Sequence, residues 1–261
     1  MNRPALLPRC NKAFTLVELL VVVAILGILA ALLLPVLSRA KASGKRTSCL
    51  NNLKQIATGV HLYAGDFNGI LFPIINPSEP FYSPLAFYEW TAYDPLMRSY
   101  VGLKGAPSPQ DKLFACPADT FYYWVTNGGS FLVRQSQHFQ SNTSYSSYAF
   151  NAGNAVFRNP EPRFPGMFPG IMGSKLSAIG HPSKTVLVAE FPALEGFSWH
   201  LPTPQWEGLE WYNNAPNMIS FVDGHVSYVK MYSGSNNPSQ SLQVPFIFDP
   251  PAGYDYEWSG E

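Results

Sequence analysis

Hydrophobic and polar positions divide the chain into three textures. From Leu19 to Leu37, nineteen consecutive residues carry no charge, and most are Leu, Val, Ile or Ala. Beyond Pro35 the apolar positions thin to a stripe. Leu50, Leu53, Ile56, Ala57, Val60 and Tyr63 or Ala64 recur at i, i+3, i+4 spacing, the period of one helix face. The first texture predicts a membrane-spanning helix, because about 20 residues rising 1.5 Å each cross a roughly 30 Å hydrocarbon layer. The second continues that helix outside lipid. One helix from about Phe14 to Ala64, roughly 75 Å long, is expected, bent at Pro35 and loosened at Gly44. Gly65, Asp66, Asn68 and Gly69 read as its stop.

The third texture begins at Asp66, where short runs alternate with Gly, Pro, Asn and Ser. Strands are predicted at Lys112–Cys116, Phe121–Thr126, Tyr145–Asn151, Thr185–Phe191, Met218–Val222 and His225–Met231. Long loops separate them, notably Arg158–Gly173. Asp223-Gly224 between β-prone runs predicts a two-residue hairpin of type I′, with positive φ at both central positions. The fold class that follows is α+β: a long N-terminal transmembrane helix packed on a mainly antiparallel β-sheet head with long loops. That sheet is what should bury the helix stripe.

Charge sharpens the division. The formal net charge is zero, but residues 55–261 hold nine basic against sixteen acidic residues, a balance of −7. An acidic distal part excludes nucleic acid as its main partner, since phosphate neutralisation needs a basic surface. Arg3, Arg9 and Lys12 precede the apolar run, and Arg39, Lys41, Lys45 and Arg46 follow it. This near-tie leaves orientation open under the positive-inside rule. Cys10, Cys49 and Cys116 are too few for a disulfide scaffold and lack metal-ligand spacing. Cys49 and Cys116 either pair, adding roughly 4 kcal/mol by loop closure, or stay as thiols, and the sequence leaves both open.

Glu18 is the anomaly in the apolar segment. A carboxylate at membrane depth costs on the order of 2.5–3.5 kcal/mol on insertion scales and normally has a partner. A cleaved secretory signal has a shorter apolar core, with the small residue after it rather than before. A plain anchor leaves Glu18 unexplained. No Lys or Arg lies one turn away, so the expected partner comes from elsewhere. A cut between Ala13 and Phe14 would create it, freeing an amine four residues from Glu18 and within reach of a neighbouring copy's Glu18.

Lys12-Ala13-Phe14-Thr15-Leu16-Val17-Glu18 resembles the processing site of type IV prepilins and type II secretion pseudopilins. The resemblance implies a leader at 1–13, removed by prepilin peptidase before Phe14, which is then N-methylated. It makes Glu18 the assembly carboxylate that selects register among like subunits through their N-terminal helices. One position departs: the family usually has Gly where this chain has Ala13. The implied organisation is leader 1–13, helix 14–64 with its membrane part at about 14–37, and an extracytoplasmic head at 65–261. The leader would face the cytoplasm, with the helix in the inner membrane.

Further residues resemble one branch of prepilin-like proteins that carries a C-terminal motif of His, nine residues, then Asp-Gly. Asn217, Phe221, Asp223, Gly224, His225 and Val226 match its ending, while Asn213 stands where the upstream His would be. Cys49–Gln55, Cys116-Pro117-Ala118-Asp119, and Ser147-Tyr148 with Asn151 look like the same branch. Asp223 and His225 should share one side of the ribbon, but a metal site needs three or four convergent ligands, and the sequence shows no third. His61, His138, His181 and His200 are scattered. No cofactor, metal or catalytic site is expected.

The expected function is structural: a subunit of a type IV pilus or a type II secretion pseudopilus, not an enzyme. One rival is a single-pass anchored binding module that does not polymerise, with Trp199, Trp206, Trp211 and Tyr212 stacking on sugar rings. Core or interface packing is the ordinary use of such aromatics. An anchored hydrolase using Asp223 and His225 is the other rival.

Overall fold

The computed structural model describes residues 15–73, 90–91, 93–126, 129–152, 170–201, 214–232 and 249–260. Helix α1 spans Leu16–Asp66, 51 residues, and stays helical through Pro35 and Gly44. The stop is where the sequence places it. The Gly69 amide reaches back to the Ala64 carbonyl (2.7 Å), and Asn68 and Gly69 both adopt positive φ, which closes the last turn. By internal contacts the chain forms two units, Met1–Ser43 and Gly44–Glu261.

In the first unit every large apolar side chain from Leu16 to Leu37 is exposed. The segment is long and apolar enough to cross a membrane.

In the second unit the remaining part of α1 presents the expected stripe. Leu53, Ile56, Ala57, Val60, Tyr63 and Ala64 are buried, Cys49 joins them, and Leu50 is half-buried. Tyr63 packs on Phe72 and meets Tyr100 edge-on (ring centres 4.4 and 5.9 Å). Gly59 marks the closest approach. A Cβ there would come within 2.6 Å of Met97 Cε and Val101 Cγ1.

The sheet that shares this core is antiparallel throughout, its four strands lying side by side in chain order. Its strands are β3 (Tyr148–Phe150), β4 (Val186–Glu190), β5 (Ala215–Phe221) and β6 (Val226–Met231). The inner strand β4 and the edge strand β3 are both buried at every position. The edge strand β6 remains partly exposed. A separate hairpin pairs β1 (Tyr122–Thr126) with β2 (Gly129–Val133), Thr126 opposite Gly129. The segment at residues 249–260 lies along β4: Val186 donates to the Glu257 carbonyl, and Glu257 donates to that of Lys184 (both 2.9 Å).

The predicted strand at Lys112–Cys116 is not one. Lys112–Phe114 forms a 3-10 turn. The Lys112 and Ala115 carbonyls accept from the Asn52 side chain on α1 (3.3 and 3.0 Å), which replaces a strand partner. β2 escapes the sequence pattern because Gly129 and Ser130 dilute its β-branched and aromatic content. The Asp223-Gly224 turn joins β5 to β6 but is not type I′. Gly224 has φ +88° whereas Asp223 is not in the left-handed region. The Gly224 amide donates to the Phe221 carbonyl, and the Phe221 amide to that of His225 (both 2.9 Å). This is a three-residue loop in which only the final glycine is left-handed.

Candidate functional site

Sequence fragments scattered over a hundred residues converge on one place in the head. Cys49 of α1 and Cys116 are joined in a disulfide, with Cα atoms 5.2 Å apart. Three residues after Cys49, Asn52 donates to the Ala115 carbonyl and to the Tyr148 hydroxyl (3.2 Å). The Cys116 amide donates to Ser147 Oγ (3.0 Å), which in turn donates to Asp119 Oδ2 (2.7 Å). Asp119 also accepts from the Gln137 and His138 amides (2.8 and 2.9 Å). Burial pushes its carboxyl up to about 6 against the pull of these donors. Asn151 donates to the Val186 and Trp258 carbonyls (2.8 and 2.9 Å). Each fragment satisfies backbone groups that the core would otherwise strand.

Beside the disulfide lies a pair that the sequence does not single out. Glu190, at the end of β4, is fully buried. Its Oε2 accepts from the Met218 amide (2.8 Å), while Oε1 faces His200 Nε2 at 2.8 Å and Cys116 Sγ at 3.1 Å. The His200 side chain is 2% exposed and meets Tyr228 edge-on, ring centres 5.5 Å apart. The donor atoms of Cys49, Cys116, Glu190 and His200 all lie within 4.8 Å of one another.

The remaining sequence candidates have local duties. Asp223 Oδ1 accepts from the His225 amide (3.0 Å) and lies 2.6 Å from His225 Nδ1. The His225 ring stacks flat on Phe221 at 4.3 Å. Gly224 faces α1: a Cβ there would lie 3.8 Å from His61 Nε2. Burial lowers the His61 pKa, with Val222 and the Asp223 charge acting the other way. Asn217, fully buried on β5, donates to the Phe197 carbonyl (2.9 Å). Trp199 is buried and donates from Nε1 to the Phe121 carbonyl (2.6 Å), so it packs the core and offers no face to a sugar. Trp206, Trp211, Tyr212 and Asn213 lie outside the described residues, as does most of Arg158–Gly173.

At the N-terminus Ala13 and Phe14 also lie outside the described residues, and Glu18 is the first acid of α1. Its carboxylate finds neutral hydrogen-bond partners within its own turn. The Thr15 amide and hydroxyl both donate to Glu18 Oε2 (2.9 and 2.7 Å), and the Glu18 amide donates to Thr15 Oγ1 (3.2 Å). This reciprocal capping box satisfies two donors of the helix start. Such donors have no water to turn to in lipid. Comparison with known families decides what the segment is. The prokaryotic N-terminal methylation motif matches residues 8–34. This is a prepilin-type N-terminus. The methylation motif supports a pilin-like subunit of the kind that prepilin peptidase processes. No curated protein and no solved structure matches the chain.

Sequence reasoning found the methylation motif, the two cysteines and the turn, and missed Glu190 and His200. The only available signal for those two was a buried-strand pattern ending in a carboxylate at Glu190. Nothing local ties it to His200.

Proposed function

We propose that the chain is a pilin-like subunit cut between Ala13 and Phe14, N-methylated on Phe14, and assembled through its N-terminal helix into a type IV pilus or a type II secretion pseudopilus. The carrying observation is the methylation motif over residues 8–34, with Glu18 inside it. The capping box answers the carboxylate's need for donors, but Thr15 is neutral and leaves a full negative charge at the helix start. A cation must offset that charge in lipid. The amine freed at Phe14, on the same chain or a neighbouring one, supplies it. This pairing sets the axial register of like helices.

The head stands outside the inner membrane in this reading, with the leader cytoplasmic. A Cys49–Cys116 disulfide suits an oxidising compartment. The chain catalyses no reaction. Asp223 and His225 are engaged with each other and with the turn, which favours a structural role over a hydrolytic one.

Two substitutions separate charge from capping. Glu18→Gln keeps a side chain able to complete the box but removes the charge, whereas Glu18→Ala removes both. Assembly is read as sheared filaments or as cross-linked multimers in membranes. Both variants should be cleaved, reach the membrane, and fail to assemble. Wild-type assembly by Glu18→Gln would reduce Glu18 to a helix cap.

A further inference from the structure

The Cys49, Cys116, Glu190 and His200 cluster contains more chemistry than a cross-link requires. A disulfide that only tied α1 to the Cys116 loop would be best surrounded by apolar groups. Here a fully buried carboxylate and a buried imidazole stand against it, an arrangement that costs free energy unless the charges are matched. The four residues come from four separate segments: α1, the Cys116 loop, the end of β4, and the loop after residue 196. Met218 holds Oε2 of Glu190, which leaves Oε1 aimed at His200 Nε2 and Cys116 Sγ. Two sulfurs, one imidazole nitrogen and one carboxylate oxygen therefore surround a common point.

We propose that this centre has two states, a disulfide and a tetrahedral zinc site formed by the same residues once the disulfide is reduced. The donor set is one zinc accepts, and two thiolates with an imidazole disfavour magnesium and calcium. Bond lengths of about 2.3 Å to sulfur and about 2.0–2.1 Å to nitrogen and oxygen place the donors of such a tetrahedron roughly 3.3–3.8 Å apart. Donors already within 4.8 Å reach that arrangement by side-chain rotation once the S–S bond opens. All four protein ligands are present, so the site is closed and of the structural type.

The chemistry balances with a dithiol as reductant. It delivers two electrons and two protons, the Cys49–Cys116 bond breaks, two thiols form, and the reductant leaves as its own disulfide. Zinc then displaces both thiol protons to solvent and forms two Zn–S bonds. His200 binds through neutral Nε2 with its proton on Nδ1, and Glu190 binds through Oε1. The centre carries one net negative charge. Tyr228, edge-on to His200, also holds the Arg46 guanidinium 5.7 Å from its ring centre. In either state α1 remains tied to the head, so the centre keeps the helix docked when the redox poise changes.

The test uses the full chain in detergent, reduced anaerobically with a phosphine and titrated with cobalt(II), then with zinc(II). One cobalt per chain should bind, giving thiolate-to-cobalt charge transfer and the strong visible bands of a tetrahedral site, and zinc should erase both. The oxidised chain should give neither. His200→Ala should weaken cobalt binding at least tenfold, and the Cys49→Ser, Cys116→Ser double variant should lose the charge-transfer band. A reduced chain that is folded by circular dichroism yet shows no such band overturns the proposal, as does a band that survives in the double variant. Should reduction unfold the head, cobalt must restore the fold, and failure to do so is equally decisive. None of these outcomes bears on filament assembly, which Glu18 tests separately.

Discussion

Asn151 shows what the head asks of single residues. Its amide group bridges carbonyls of β4 and of the segment at residues 249–260, and a buried carbonyl left without a donor costs about 1–3 kcal/mol. Asn151→Ala should therefore lower stability by about 3 kcal/mol, seen as a lower urea midpoint of the detergent-solubilised chain. Asp94 gives a pH signature. Burial pushes it up to about 7 despite its bond from Arg98. A carboxylate raised in the fold adds stability that is complete below its ordinary value near 3.8 and is lost as pH rises toward 7. His61 acts oppositely, losing stability as pH falls below 6.5. Asp94→Asn should flatten the decline between about pH 4 and 7 in urea midpoints taken across that range. At the cleavage site, Ala13→Gly should raise the processed fraction, measured as the ratio of precursor to mature chain. Residue by residue, legibility followed range in sequence. Thr15 and Glu18 sit at capping-box spacing, a local signal that the search for a charged partner passed over. Glu190 and His200 meet Cys49 and Cys116 only through the tertiary fold, so no spacing rule could assemble them.

Among the elements, α1 was the most legible, because a nineteen-residue uncharged run leading into an apolar stripe and a glycine stop leaves few alternatives. The β4–β6 strands were legible through their apolar runs. Lys112–Cys116 misled because its composition suits a strand, while Asn52 takes up its carbonyls. At the β5–β6 turn, Asp-Gly correctly marked a hairpin but not its geometry, since Val222 joins the loop. Two glycines test these packings. Gly224→Ala meets only ordinary contact with His61 but must hold φ near +88°, a strain of about 1–2 kcal/mol. Gly59→Ala keeps a good helix dihedral yet drives a methyl into Met97 and Val101. It should cost about 1–3 kcal/mol as overpacking and loosen α1 from the short helix at Tyr93–Met97. Thermal unfolding of both variants reads these losses directly.

For the molecule as a whole, two units carry different tasks: an apolar N-terminal helix segment with its charged cap, and a head closed by the Cys49–Cys116 bond. Reducing that bond in metal-free buffer should lower head stability by up to about 4 kcal/mol, the chain-entropy value for a loop of this length. The methylation motif over residues 8–34 supports one processing event, and everything proposed about assembly depends on it. Intact mass combined with N-terminal sequencing of membrane-extracted protein tests it most directly. The expected mature chain begins at Phe14 and carries one added methyl group. A mature chain that still begins at Met1 would contradict it.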